Sequence, residues 1–209
     1  MRLRNIKDKD IILENSSLVM NNNEIKPGNW SKYFKNNHPV HLEIGSGLCG
    51  FIIKMADKYK DINFIGIEKQ TTALAKGVKD KDSIDNLILL NIDAKELSSV
   101  FSHEIDTIYL NFSDPWPKAR HEKRRLTSKE LLTVYDDLFK STKTIIMKTD
   151  NRDLFEYSVS SLSSYGYTIE KVKTDLHNSD ISDNIFTEYE EKFFKKGQNI
   201  YYIKAIKNA

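Results

Sequence analysis

The chain has 209 residues, 39% hydrophobic and 30% charged, with a formal net charge of +2. That is enough for one domain with a full core, and too balanced for overall charge to define a partner. One cysteine, Cys49, excludes an internal disulfide and five scattered histidines form no zinc-ligand spacing, so no metal site is expected and a reducing compartment fits. The opening Met-Arg-Leu-Arg leads into no apolar signal run and no stretch reaches ~18 consecutive apolar residues, so the expectation is a soluble, cytoplasmic protein without a membrane partner.

Residues 1–39 show no sustained periodicity, a polar Asn21-Asn22-Asn23 run and a Pro27-Gly28 turn signal, and they read as an N-terminal extension. Trp30, Tyr33 and Phe34, at i, i+3 and i+4, predict one short helix whose apolar face docks on the domain; Arg2 and Arg4 are candidates for phosphate contacts. Residues 40–209 form the main domain. Strands are expected at 40–44, 63–67, 86–91, 106–112, 143–148, 167–173 and 199–206, and helices at 50–59, 70–79, 128–140 and 152–164, with Ser128 as an N-cap candidate. Strands alternating with helices need crossover connections, hence an α/β fold with a mostly parallel, doubly wound, Rossmann-like sheet of seven strands. Between the last two strands lies a long acidic loop and no convincing helix, so these two are expected to pair antiparallel at one edge, giving an antiparallel edge strand.

The first strand runs into His41-Leu-Glu-Ile-Gly-Ser-Gly-Leu-Cys-Gly50, where Gly45 and Gly47 let the backbone turn tightly and approach a ligand at the start of a helix. Read literally, Gly45-x-Gly47-x-x-Gly50 is also a dinucleotide fingerprint, with Glu68 at the end of the second strand placed for ribose hydroxyls. Two acids tip the choice from NAD toward S-adenosylmethionine. Glu43 can face the cationic amino end of a methionine moiety, and Asp93, after the third strand, can accept from an adenine amino group. Three acids at three successive strand ends would ring one crevice at the carboxyl edge of the sheet.

The fourth strand ends in Asn111-Phe-Ser-Asp-Pro-Trp-Pro-Lys118, which places a carboxylate, Asp114, at a strand's carboxyl end in a segment that two prolines keep irregular. From Lys118 to Arg125 there are five Lys/Arg against one Glu, a formal +4 in eight residues, which suits a phosphate backbone. Against this strip stands 174–191, with six Asp/Glu and no Lys or Arg. An acid beside a basic strip points to chemistry on a nucleic acid.

Leu-Glu-Ile-Gly-Ser-Gly, Gly66-Ile-Glu68, Asn91-Ile-Asp93-Ala, Asn111-Phe-Ser-Asp-Pro-Trp-Pro-Lys118, Arg120-His-Glu-Lys-Arg-Arg125, Lys148-Thr-Asp-Asn151 and Thr187-Glu-Tyr-Glu190 occur in that order. Together, from about Trp30 to about Tyr202, they strongly resemble the bacterial tRNA (guanine-N7)-methyltransferases, which act on the tRNA variable loop. The resemblance implies a class I methyltransferase fold and S-adenosylmethionine as methyl donor. It implies that Glu43, Gly45, Gly47, Glu68, Asp93 and Asp114 line the donor pocket, with Asp114 also catalytic. Lys118, Asp150, Thr187, Glu188, Tyr189 and Glu190 would then hold the substrate, and Arg120, His121, Lys123, Arg124 and Arg125 would touch RNA, in a monomer or homodimer.

The glycine loop departs from that family, which usually has Gly-x-Gly-Lys-Gly where this chain has Gly45-Ser-Gly47-Leu48-Cys49. A left-handed Cys49 would cost roughly 1–2 kcal/mol. The extension also lacks the Trp that often follows the opening basic residues. Two other functions fit parts of the pattern. An exocyclic-amine methyltransferase would carry Asn/Asp-Pro-Pro-aromatic, whereas here Trp116 replaces the second proline; a non-catalytic donor- or RNA-binding module would tolerate the altered loop.

Overall fold

A computed structural model describes residues 6–208. Arg2 and Arg4 lie outside the described residues. Seven strands form one sheet: β1 (Val40–Ile44), β2 (Asn63–Ile67), β3 (Leu87–Leu90), β4 (Ile105–Asn111), β5 (Phe139–Thr149), β6 (Thr168–Lys173) and β7 (Tyr201–Lys207). The helices are α1 (Lys9–Glu14), α2 (Trp30–Phe34), α3 (Gly50–Lys58), α4 (Thr71–Val78), α5 (Lys129–Asp136), α6 (Arg152–Ser164) and α7 (Glu188–Phe194).

The strand order is β3-β2-β1-β4-β5-β7-β6, with β1 to β5 parallel and β7 antiparallel to both its neighbours. The last two strands do pair antiparallel at one end of the sheet. The edge strand, β6, pairs antiparallel with its neighbour as expected, and the reversed strand β7 lies one place in from the edge. The reason is burial: β7 contributes Tyr202, Ile203 and Ala205 to the core, whereas β6 is largely exposed and carries Glu170, Lys171 and Lys173, charges that suit an unpaired edge.

Apolar side chains on both faces of the central strands explain the two layers of helices. α3 and α4 cover one face through Phe51, Ile52, Leu74 and Val78, against Phe64, Leu87 and Leu89. α5 and α6 cover the other through Leu132, Tyr135, Leu154 and Leu162. Residues 6–39 lie against both faces. α2 docks as its spacing predicts: Trp30 is fully buried, stacks on Phe101 at 5.2 Å and donates its indole N–H to the Val100 carbonyl. α1, which the sequence does not reveal, packs on α4, and Val19 then bridges to Leu89 of β3.

Two other boundaries move. α5 stops at Asp136 and β5 starts at Phe139, because the chain there joins Ile105 and begins an eleven-residue strand. Ser128 sits at the N-cap position of α5, but its hydroxyl donates to the Lys123 carbonyl instead of capping. The acidic segment before β7 is no simple loop. It contains α7, opened by a capping box in which the Thr187 hydroxyl accepts from the Glu190 N–H and the Glu190 carboxylate accepts from the Thr187 N–H.

Candidate active site

The strand order reverses between β1 and β4, and in open α/β sheets the crevice for a ligand lies outside the carboxyl ends of the strands at such a point. A cavity of about 740 Å³ opens there. Glu43, Gly45, Gly47, Glu68, Asp93 and Asp114 all line it, so the sequence-predicted donor set shares one chamber.

The glycine loop is turned by positive φ at Gly45 (82°) and Gly47 (55°), with the Gly45 and Ser46 N–H groups both donating to the Ile67 carbonyl at 2.9 Å. Cys49 does take the left-handed conformation, φ 62° and ψ 8°. Its thiol is buried, and Gly77 of α4 makes room beneath it: a Cβ on Gly77 would lie 2.6 Å from the Leu48 carbonyl oxygen and 3.2 Å from Cys49 Sγ. The altered loop is thus seated on a helix that leaves space for it.

The acids differ in what they do. Glu68 accepts from the Gly47 N–H (2.9 Å) through one oxygen and from the Gln70 N–H (2.7 Å) through the other, bracing the loop while each oxygen keeps acceptor capacity. Asp93 caps the turn at Ala94–Ser99 by accepting from the Lys95 N–H at 3.1 Å. Glu43 is fully buried at the cavity floor: its Oε1 accepts from Asn111 Nδ2 at 2.8 Å, and its Oε2 has no partner. Burial pushes its carboxyl up to about 7, more strongly than the Asn111 hydrogen bond lowers it. A buried, unsatisfied carboxylate oxygen costs free energy until a donor arrives, so the floor is built for a cationic or N–H-bearing group.

Asp114 is exposed on the cavity wall. Two bulky residues around it adopt positive φ, Phe112 (49°) and Trp116 (43°), an arrangement that surrounding structure must hold. The Phe112 N–H donates to the Lys148 carbonyl, and Arg125 donates to the Pro115 and Trp116 carbonyls while its guanidinium lies 4.2 Å from the centre of the Tyr157 ring. Arg125 thus braces the Asp-Pro-Trp-Pro loop as well as belonging to the basic strip.

The rest of the strip divides. Arg120, Lys123 and Arg124 are exposed, and Lys123 and Arg124 reach the cavity rim, Arg124 over the Trp116 ring at 4.8 Å. His121 packs edge-on against Trp116.

Of the expected substrate residues, Thr187, Glu188 and Tyr189 line the cavity, and Tyr189 meets Phe112 at 5.7 Å between ring centroids. The Glu188 carboxylate rests on Gly50, where a Cβ would lie only 2.6 Å away, at the start of α3. Lys118 and Asp150 stay outside the cavity lining. Glu190 is completely buried and ion-paired to Lys148 at 2.7 Å, so it is no open substrate ligand. Sequence reasoning missed Lys148 and Asn111. A signal for Lys148 existed: a lysine two residues after Ile146 stands on the face of a strand that should be apolar.

The cavity thus combines a floor acceptor, two braced acids, an exposed carboxylate, a half-exposed aromatic pair and a cationic rim. Residues 37–203 match the model of a family described as putative methyltransferase. The chain is 48% identical over 209 residues to the tRNA (guanine-N(7)-)-methyltransferase of Oceanobacillus iheyensis, covering 98% of each chain. It is 52% identical over 182 residues to the protein of the same name from Enterococcus faecalis, covering 85% of each. Among solved structures, an antibiotic-related methyltransferase superposes with a TM-score of 0.65 at 18% identity, over 91% of this chain and 95% of that one, a likeness of fold.

Proposed function

The chain belongs to the tRNA (guanine-N(7)-)-methyltransferase family, and from that premise we propose that this cavity transfers a methyl group to N7 of a guanine in the tRNA variable loop. The methyl donor is S-adenosylmethionine. The supporting observation is that Glu43, Glu68, Asp93 and Asp114 line one cavity whose rim carries Lys123 and Arg124. Bound there, the donor supplies an electrophilic sulfonium methyl. Glu43, with its unpartnered oxygen, takes the cationic amino group; Glu68 takes the ribose hydroxyls; Asp93 takes the adenine amino group.

Guanine N7 carries a free lone pair, so no residue has to remove a proton before attack. The protein's work is alignment and charge. Holding the base in line with the methyl contributes ~7–11 kcal/mol of the barrier. As the ring becomes cationic, a carboxylate beside it favours the transition state over the ground state. In this reading Asp114, exposed on the cavity wall, is that carboxylate, and it acts as acceptor and counter-charge rather than as a general base. The N1–H and amino group of guanine are both donors, which carboxylates accept; Glu188 is a second candidate acceptor on the same wall. Phe112 and Tyr189 offer faces for the extruded base. Arg120, Lys123 and Arg124 take tRNA phosphates.

Among the described residues no helix is long and apolar enough to cross a membrane, and a tRNA substrate is consistent with a cytoplasmic reaction. The test is to incubate protein, donor and tRNA and map N7-methylguanosine by its susceptibility to chain cleavage. Wild-type protein marks one variable-loop guanine and folded Asp114→Ala does not. A mark on an exocyclic amine, or full turnover without Asp114, overturns the reading.

A further inference from the structure

Resting on the assignment of guanine methylation to this cavity, we propose that Lys148 and Glu190 are positioning residues: their buried ion pair fixes the start of α7 so that Glu188 and Tyr189 face the incoming base, and neither partner touches substrate. Lys148 ends the apolar run of β5 with its side chain 3% exposed, and Glu190 is 0% exposed. All three ammonium protons are committed, to Glu190 Oε2 at 2.7 Å, the Ile185 carbonyl at 2.8 Å and Asn184 Oδ1 at 3.1 Å. Both Glu190 oxygens are committed too. Oε2 accepts from Lys148 and from the Thr187 N–H, and Oε1 accepts from Asn184 Nδ2 at 2.5 Å, with His177 Nε2 3.4 Å away. No edge of this carboxylate remains for a guanine.

The same lysine reaches the other side of the base site. Its backbone carbonyl accepts from the Phe112 N–H at 2.8 Å, and the Phe112 ring meets Tyr189. One residue at the end of β5 therefore sets both aromatic walls, Phe112 through its main chain and Tyr189 through the side-chain hold on 184–190. A buried ion pair contributes little net stability over an apolar pair of the same shape. What it adds here is one allowed register for a seven-residue helix otherwise anchored by few core residues.

Lys148→Met alone leaves Glu190 buried and unpaired, which threatens folding; Lys148→Met/Glu190→Gln removes both charges and supplies the folded comparison. At a temperature where circular dichroism shows the variants folded, kcat/KM for tRNA should drop about 100-fold in Glu190→Gln and in the double variant alike, the scale expected of a misplaced substrate group. The two losses should not add, and donor affinity by calorimetry should stay within about threefold. Amide hydrogen exchange should quicken at 184–194 and nowhere else. A Glu190→Gln loss that Lys148→Met does not share would make Glu190 a substrate contact, and unchanged turnover in all folded variants would make the pair structural only; either overturns the proposal. Should wild-type protein fail to methylate tRNA, the reading of function falls, while unchanged exchange at 184–194 in the double variant would separately sink the positioning role.

Discussion

A carboxylate that is sealed from water, bonded on one oxygen and bare on the other makes Glu43 the residue with most to gain from a ligand. Its folded pKa, about 7, lies above its ordinary 4.5, so ionising it opposes folding. The stability it contributes is complete below pH 4.5 and is lost as pH rises through 7, a difference of roughly 3 kcal/mol between the two limits. An ammonium at Oε2 reverses the preference. Donor affinity should therefore weaken roughly tenfold for each pH unit below 7, with proton release on binding, and Glu43→Gln should flatten both trends; calorimetry in buffers of different ionisation enthalpy between pH 5.5 and 7 reads this, and a flat wild-type profile contradicts it. Gly77 gives a second prediction at this scale. In a helix interior Ala is normally better than Gly by about 0.5–1 kcal/mol. Here the new Cβ would press to 2.6 Å on the Leu48 carbonyl oxygen, a backbone atom of the glycine loop, and overpacking of that kind costs typically 1–3 kcal/mol. Gly77→Ala should thus lower the Tm and weaken donor binding together, where a raised Tm would show that the loop yields freely.

Elements were legible where periodicity was long and apolar. β1, β2, β4 and α6 were readable because runs such as Asn63–Ile67 are buried along their whole length, and the acids proposed to hold the donor stand within or just after such strands. α1 and α7 were not, since six or seven residues carry little pattern and their helical form depends on docking. Thr187-x-x-Glu190 was nonetheless a visible capping box, obscured by its own acidity. Composition also hides what Arg125 holds within the fold. A run of five basic residues reads as one solvated strip, and only the fold shows that its last member turns back to hold the Pro115 and Trp116 carbonyls. Arg125→Lys keeps the charge and loses the fork that spans both carbonyls. It should reduce kcat at least tenfold with tRNA affinity and its salt dependence unchanged, as filter binding and steady-state kinetics would show; a drop in affinity alone would return Arg125 to the RNA surface.

Across the whole molecule the two charged segments 118–125 and 174–191, with residues 126–173 between them in the sequence, both contribute side chains to the lining of one cavity. Parallel order puts the carboxyl ends of β1 to β5 on the same edge, so acids for a cationic donor and bases for an anionic RNA fall in neighbouring zones. They do different jobs and should separate experimentally. Phosphate contacts act by releasing counterions, with a salt slope of about 0.7–0.9 per contact, and carry no dependence on the donor. With Arg125 bonded to the loop and Lys118 set aside as a proposed substrate residue, the strip leaves Arg120, Lys123 and Arg124, of which Lys123 lies 3.4 Å from Glu130 on the surface. Reversing these three to Glu should reduce the slope of log affinity against log salt by about 2 to 3 and lower tRNA affinity by 100-fold or more at low salt. Donor affinity, which we propose rests on Glu43, Glu68 and Asp93, should change by less than a few-fold. Equal loss of donor and tRNA binding would mean that the strip supports the chamber itself, and the separation of the two zones would fail.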